Sequence, residues 1–324
     1  LPTQPRDWTT PLWVTLVRLS EEEGVLELAV ASSHFDLASL KWLAAALLQD
    51  TATDLSETLQ YADYAEWRWS LVEDAPDHPG VSFWKPAGDT EQATLQLPLE
   101  SPLDGGFAPT RLELTLPAVR SRHSALTPEL LLAAWAAVVG GLAGQQQVPV
   151  TLIHESRGAE LENTLGLFEQ CLPVSIELDD QATLLEQSTQ VAATLERLIG
   201  WQDYYTGDHH AGYAFAWRSG DARERHASAV MNPLKACLNV RQLPDSLHAQ
   251  VVYDRHVLSA DAVGCLAEQW LQLLHGALAE PQRGWAQLPL GGALQSQLIG
   301  AGASAPSIEP VTLVELISRQ VRQQ

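Results

Sequence analysis

His34-Phe35-Asp36 has the His-x-Asp spacing of a non-haem iron facial triad, a centre that also needs a distant second His and open coordination positions. Ser32 and Ser33 adjoin His34 as a nucleophile would adjoin a base. Nucleophilic catalysis needs that base oriented by a third group, and neighbours on an extended segment point to opposite faces. His209-His210 is followed by Ala211-Gly212-Tyr213-Ala214-Phe215, with no acidic residue to complete a catalytic set, and reads as a solvent-exposed or tunnel-lining pair. Cys171, Cys237 and Cys265 are odd in number and lack metal-ligand spacing. As free buried thiols they fit a reducing, cytoplasmic setting. No metal site and no cofactor bound by this chain is expected.

The elements around these residues read as α/β. Strand-like runs at 12–19 and 25–30 flank the polar turn Ser20-Glu21-Glu22-Glu23-Gly24, and an apolar helical pattern follows at Leu37, Leu40, Leu43 and Leu47. An alternating strand is expected over 111–116, strands over 148–153 and 174–178, and helices over 130–142 and 183–199. Thr127-Pro128-Glu129 marks the start of the first of those helices, which is too short to span a membrane. A chain of 324 residues outgrows one core, so two lobes are expected: 1–98, a linker at 99–109 rich in Pro, Gly and Asp, then 110–295. A net charge of −21 disfavours nucleic acid and anionic lipid as partners. The tryptophans are expected to be mostly core. Trp67 and Trp69, two apart on a helix, cannot share a face, so one of them should reach solvent or a partner.

Strand, loop and helix in this order resemble the condensation domains of nonribosomal peptide synthetases, whose loop reads His-His-x-x-x-Asp-Gly. Here the two His positions are Ala31 and Ser32, Asp36 is kept, and the Gly is Leu37. Further segments resemble that family in order and spacing: Leu59-Gln60-Tyr61-Ala62-Asp63-Tyr64-Ala65-Glu66-Trp67, Ser82-Phe83-Trp84-Lys85, His154-Glu155-Ser156-Arg157, residues 165–174, Trp201-Gln202-Asp203-Tyr204 and Val251-Val252-Tyr253-Asp254. The resemblance implies a two-lobe, chloramphenicol acetyltransferase-like fold with a shortened N-terminal lobe. Residues 296–324 resemble a linker toward an adenylation domain. In the family the Asp of the loop is structural and pairs with an arginine. Arg157 is the first choice here, with Arg18 and Arg68 as alternatives.

Substitutions gather where the chemistry would occur, at Ser32, Leu37, Gln170, Cys171 and Trp201. Alanine cannot move a proton, and a serine hydroxyl has no pKa near neutrality. The resemblance therefore implies a non-catalytic platform like the interface domains of siderophore synthetases, which recruit iron- and 2-oxoglutarate-dependent β-hydroxylases of Asp or His to a carrier-bound amino acid. X-domains, which recruit cytochrome P450 enzymes, follow similar logic, but they keep a His in the motif and a full N-terminal lobe. The implied partners are a peptidyl carrier domain with its phosphopantetheine arm, the hydroxylase (or a P450) and an adjacent adenylation domain. Tyr61, Tyr64, Trp67, Arg68, Trp69 and Trp201 are the expected partner-binding residues. A condensation or epimerisation enzyme working without the usual His, and a structural spacer, are the alternatives.

Overall fold

The computed structural model describes residues 12–31, 33–48, 59–85, 95–101, 105–116, 126–207, 211–219, 234–243 and 246–288. Ser32 and His209-His210 lie outside the described residues. The order is β1 (Leu12–Arg18), β2 (Gly24–Val30), α1 (Leu37–Leu48), α2 (Tyr61–Glu73), α3 (Pro79–Trp84) and β3 (Pro109–Leu114). Then come α4 (Pro128–Ala143), β4 (Gln147–Glu155), β5 (Glu169–Glu177), α5 (Leu184–Ile199), β6 (Tyr213–Ser219), β7 (Ala236–Gln242), β8 (Leu247–Asp254) and α6 (Ala260–Ala279). One-turn 3-10 segments lie at Ala159–Leu161, Gln202–Tyr204 and Trp285–Gln287.

Strands β1 and β2 form an antiparallel hairpin, and the others form a six-stranded sheet in the order β3-β8-β7-β6-β4-β5. That sheet is mixed: β4/β6 and β6/β7 are parallel, and the remaining pairs are antiparallel. Pro173 is tolerated because β5 is an edge strand. The β4–β6 ladder covers only Thr151 to Ile153, so Pro149 falls outside it.

Helix α4 is the centre of the core, buried from Leu130 to Gly140. Local chemistry sets its ends: the Thr127 hydroxyl accepts from Leu130 N at 3.3 Å, Pro128 occupies the first turn, and Gly144 closes it at φ 64°. Helix α5 begins with a capping box in which Thr183 and Glu186 satisfy each other's backbone N–H. Trp270 of α6 is fully buried and donates its indole N–H to Leu131 O at 3.2 Å, which ties α6 to α4.

The segment 95–101 is bound to the large sheet: Leu95 and Leu97 join its core, and Lys235 donates to Leu95 O and to both oxygens of Glu100 at 2.8–2.9 Å. Burial and the Glu100 carboxylate push the Tyr213 phenol well above its usual pKa, so it stays protonated and donates to Glu100 at 2.8 Å.

Several expectations need correction. Strand β5 begins at Glu169 rather than 174, because its register across β4 gives Glu169, Gln170 and Cys171 ladder partners that periodicity could not show. Helix α1 forms where the apolar pattern runs, with Ser39 its buried residue, Leu37, Leu40 and Leu43 half-buried and Leu47 and Leu48 exposed. Among the described residues the tryptophans are not mostly core: Trp135, Trp270 and Trp285 are buried, Trp42, Trp84, Trp201 and Trp217 lie between, and Trp13, Trp67 and Trp69 are exposed. Both Trp67 and Trp69 reach solvent, not one of them. Of the thiols, only Cys237 is fully buried. No helix among the described residues is long and apolar enough to cross a membrane.

Candidate functional site

The loop after β2 closes as a tight turn in which Ala31 O accepts from His34 N at 3.0 Å and from Phe35 N at 3.2 Å. Ala31 itself is buried. Ser33 and His34 do meet, with Ser33 Oγ 2.9 Å from His34 Nδ1, since a turn lifts the opposite-face rule of an extended segment. Both are exposed, and no third group among the described residues hydrogen-bonds the imidazole to orient it. Both Asp36 oxygens are taken up by Arg157, and no cluster of three His, Cys, Asp or Glu that could hold a metal occurs among the described residues.

Asp36 lies at the start of α1, where its Oδ1 accepts from Ser39 N at 2.8 Å as a helix N-cap does. The same carboxylate receives Arg157 Nη2 at 2.9 and 3.1 Å and Phe168 N at 2.9 Å. Arg157 also donates to Leu161 O at 2.7 Å, to Thr164 O and to Ser39 Oγ, and its guanidinium lies 4.2 Å from the centre of the Phe168 ring. Neither Arg18 nor Arg68 pairs with Asp36: Arg18 donates to Ser20 O, and Arg68 is directed elsewhere. Ser39, which sequence reasoning passed over, completes the clamp by donating to Gly166 O at 2.8 Å and accepting from Gly166 N at 3.0 Å. A serine three residues after an acidic N-cap in an otherwise apolar helix was its only signal.

Gly166 also lets α2 approach. A Cβ there would lie 2.2 Å from the Tyr61 ring, so the loop and helix meet only because the side chain is absent. Tyr64, on the same helix, is buried against Leu161 and Phe168. Arg68 ties the helix to the 3-10 turn, donating to Asp203 O at 3.3 Å and Tyr205 O at 2.6 Å. Trp201 packs edge-on to His78 and accepts the Trp84 indole N–H at its carbonyl. Tyr64, Arg68 and Trp201 are therefore built into the fold. The aromatic surface on α2 is formed by Tyr61, Trp67 and Trp69.

Two clefts flank this helix. One, of about 580 Å³, is walled by Tyr64 and Trp67 on one side and by His154, Glu155 and the Arg157–Leu161 stretch on the other, with Gln202 and Asp203 at its end. Burial lowers the pKa of His154, so its imidazole is neutral at pH 7. Burial, together with the neighbouring Asp36 and Glu169, raises Glu155. Burial raises Asp203 against the opposing pull of Arg68, and Glu160 adds to the rise. The other cleft, of about 460 Å³, has Tyr61, Arg68, Trp69, Cys171 and Tyr205 among its walls. Burial pushes the Cys171 thiol up to about 11, which leaves it inert as a nucleophile at neutrality.

The condensation domain sequence model matches residues 37–208, more than half of the chain. A linear gramicidin synthase of Brevibacillus parabrevis is 24% identical over 329 residues, an alignment covering 86% of this chain and only 6% of that protein. Among solved structures, the X-domain in complex with OxyB from teicoplanin biosynthesis superposes with a TM-score of 0.68 at 20% identity, over 89% of this chain and 75% of that one. The condensation domain of the monacolin K polyketide synthase MokA superposes with a TM-score of 0.69 at 14% identity, over 85% and 74% of the two chains. With the fold shared at that level, and the clamped loop, helix and 3-10 turn in family order, the chain belongs to the condensation domain family.

Proposed function

We propose that this chain is a non-catalytic, condensation-like interface domain of a nonribosomal peptide synthetase that recruits a trans-acting tailoring enzyme to a carrier-bound amino acid. The recruited enzyme is an iron- and 2-oxoglutarate-dependent β-hydroxylase of Asp or His, acting on an amino acid tethered through the carrier's phosphopantetheine. The observation that carries this reading is the loop. Asp36 holds it in a complete clamp, yet Ala31 and Ser32 stand where the family has its two histidines. A scaffold kept intact around a missing acid–base group is what a binding role would preserve. The exposed aromatics of α2 supply the surface, since Trp and Tyr are the usual anchors of interfaces. The fold shared with an X-domain captured with OxyB supports the same kind of role.

The test has two arms. With loaded donor and acceptor carriers the chain forms no peptide bond above background, and Ser32→Ala changes nothing, as read by mass spectrometry. Titration calorimetry with the hydroxylase encoded nearby gives a complex that Trp67→Ala or Trp69→Ala weakens by roughly 1–3 kcal/mol. Product that disappears on Ser32→Ala refutes the platform reading. One observation favours a second reading, an atypical condensing or epimerising enzyme: the neutral His154 imidazole lining the larger cleft could accept a proton. Product that survives Ser32→Ala and disappears on His154→Gln would establish that reading. A chain with neither product nor partner is a spacer.

A further inference from the structure

Trp67 and Trp69 stand two residues apart on α2, which sets them about 160° apart around the helix axis. Both are exposed, and each faces a different cleft. Trp67 walls the cleft of about 580 Å³, with Leu59 and Leu161 among its neighbours there. Trp69 walls the cleft of about 460 Å³, together with Tyr61, Ala65 and Tyr205. Helix α2 is therefore a ridge with a cleft along each flank and an exposed indole on each slope.

The crest between the flanks carries Ala62, Glu66 and Glu73, exposed residues that share one face at helical spacing. The one cation of the helix, Arg68, turns inward and donates to Asp203 O and Tyr205 O. Glu73 and the C-cap Asp74 close the helix where its dipole is already negative, and the last turn has no basic residue to offset them. Positive charge brought by another protein is favoured along that crest.

Size decides how such a protein must sit. The 13 residues of α2 span roughly 20 Å and the covered helix is about 10 Å wide, so its crest offers roughly 200 Å². A stable complex covers about 800 Å² on each partner. The rest must come from the flanks and their clefts. A flat surface laid on the crest would meet the carboxylates and could not pack on both indoles.

We propose that the recruited enzyme grips α2 from both sides, through a concave surface with a basic floor and two apolar rims that pack on Trp67 and Trp69 and enter the two clefts; this rests on the platform reading above.

The full chain is titrated by calorimetry against the hydroxylase encoded nearby. Trp67→Ala and Trp69→Ala should each weaken the complex about tenfold, the range of interface anchors. Glu160→Trp fills the first cleft from its far wall and Thr206→Trp fills the second. Each should weaken the complex at least about tenfold without lowering the melting temperature. The two alanine variants change exposed side chains and decide the question where a filling variant fails to fold. Glu66→Lys/Glu73→Lys should also weaken the complex, by a factor that shrinks as salt is raised.

Loss of affinity confined to one indole and its own cleft overturns the grip and leaves the platform reading standing. Tighter binding by the Glu66→Lys/Glu73→Lys chain overturns the basic floor. A complex indifferent to every variant places the interface away from α2 and overturns the grip alone. A native chain that binds no oxygenase overturns the platform reading and the grip together.

Discussion

Replacing Asp36 by Ala should remove the central tie between α1 and the Arg157 loop. The carboxylate is 2% exposed and the guanidinium 6%, so the pair is out of water on both sides. Asp36 accepts from Arg157, Ser39 N and Phe168 N, and an alanine side chain offers these donors no oxygen. Breaking a buried ion pair from one side costs about 3–5 kcal/mol. Each orphaned backbone N–H adds about 1–3 kcal/mol when water cannot reach it. These penalties overlap, because Arg157 keeps its bonds to Leu161 O, Thr164 O and Ser39 Oγ and the emptied site can admit water. The expected loss is therefore about 3–5 kcal/mol, or a fall in melting temperature on the order of 10 °C at roughly 2–4 °C per kcal/mol. The assay is calorimetric melting of Asp36→Ala, Arg157→Met and the double variant. In the double variant both charges are gone, so the cycle should show at least about 1 kcal/mol of coupling. An Asp36→Ala change within about 0.5 kcal/mol of the native chain, or a strictly additive cycle, would refute the clamp.

Asp203→Asn should raise stability at pH 7–8. A carboxylate whose folded pKa is raised destabilises the fold above that pKa, and the penalty vanishes below the unfolded one. Denaturant titrations at pH 8 and pH 4 check this, and an advantage at pH 4 but not at pH 8 would contradict the sign. Gly166→Ala should destabilise by about 1–3 kcal/mol through overpacking, since its Cβ would meet the Tyr61 ring at 2.2 Å; Tyr61→Ala in the same chain should recover most of the loss in thermal melting. In thiol labelling at pH 8, Cys171 and Cys237, held up to about 11 and 12 by burial, should react far more slowly than in denaturant. Labelling of either in the native chain at a free-thiol rate would contradict their placement.

Much of the architecture is legible in the residues because its cues are local. Thr127-Pro128 and Thr183 with Glu186 start their helices through bonds made within one turn, so α4 and α5 sit where their caps say. The order of motifs along the chain likewise points to the family, since each marks an element boundary that neighbouring residues set. What local cues leave out depends on distant partners. Strand β5 extends to Glu169 only because β4 lies opposite it, and α1 hides a serine rather than its leucines because the Arg157 loop lies against that face.

The site divides in the same way. The sequence by itself determined that the loop lacks the two histidines of the family's motif, because the side-chain identities at 31 and 32 decide that without reference to geometry. It also narrowed the partner of Asp36 to a few arginines, through the family. Tertiary structure alone selected Arg157 and made Ser39 part of the clamp. Tertiary structure also sorted the α2 residues into Tyr64 and Arg68, committed to the fold, and Tyr61, Trp67 and Trp69, left at the surface. Helical spacing places side chains around an axis, but which side is covered depends on where Phe168 and the 202–205 turn come to rest, more than a hundred residues along the chain.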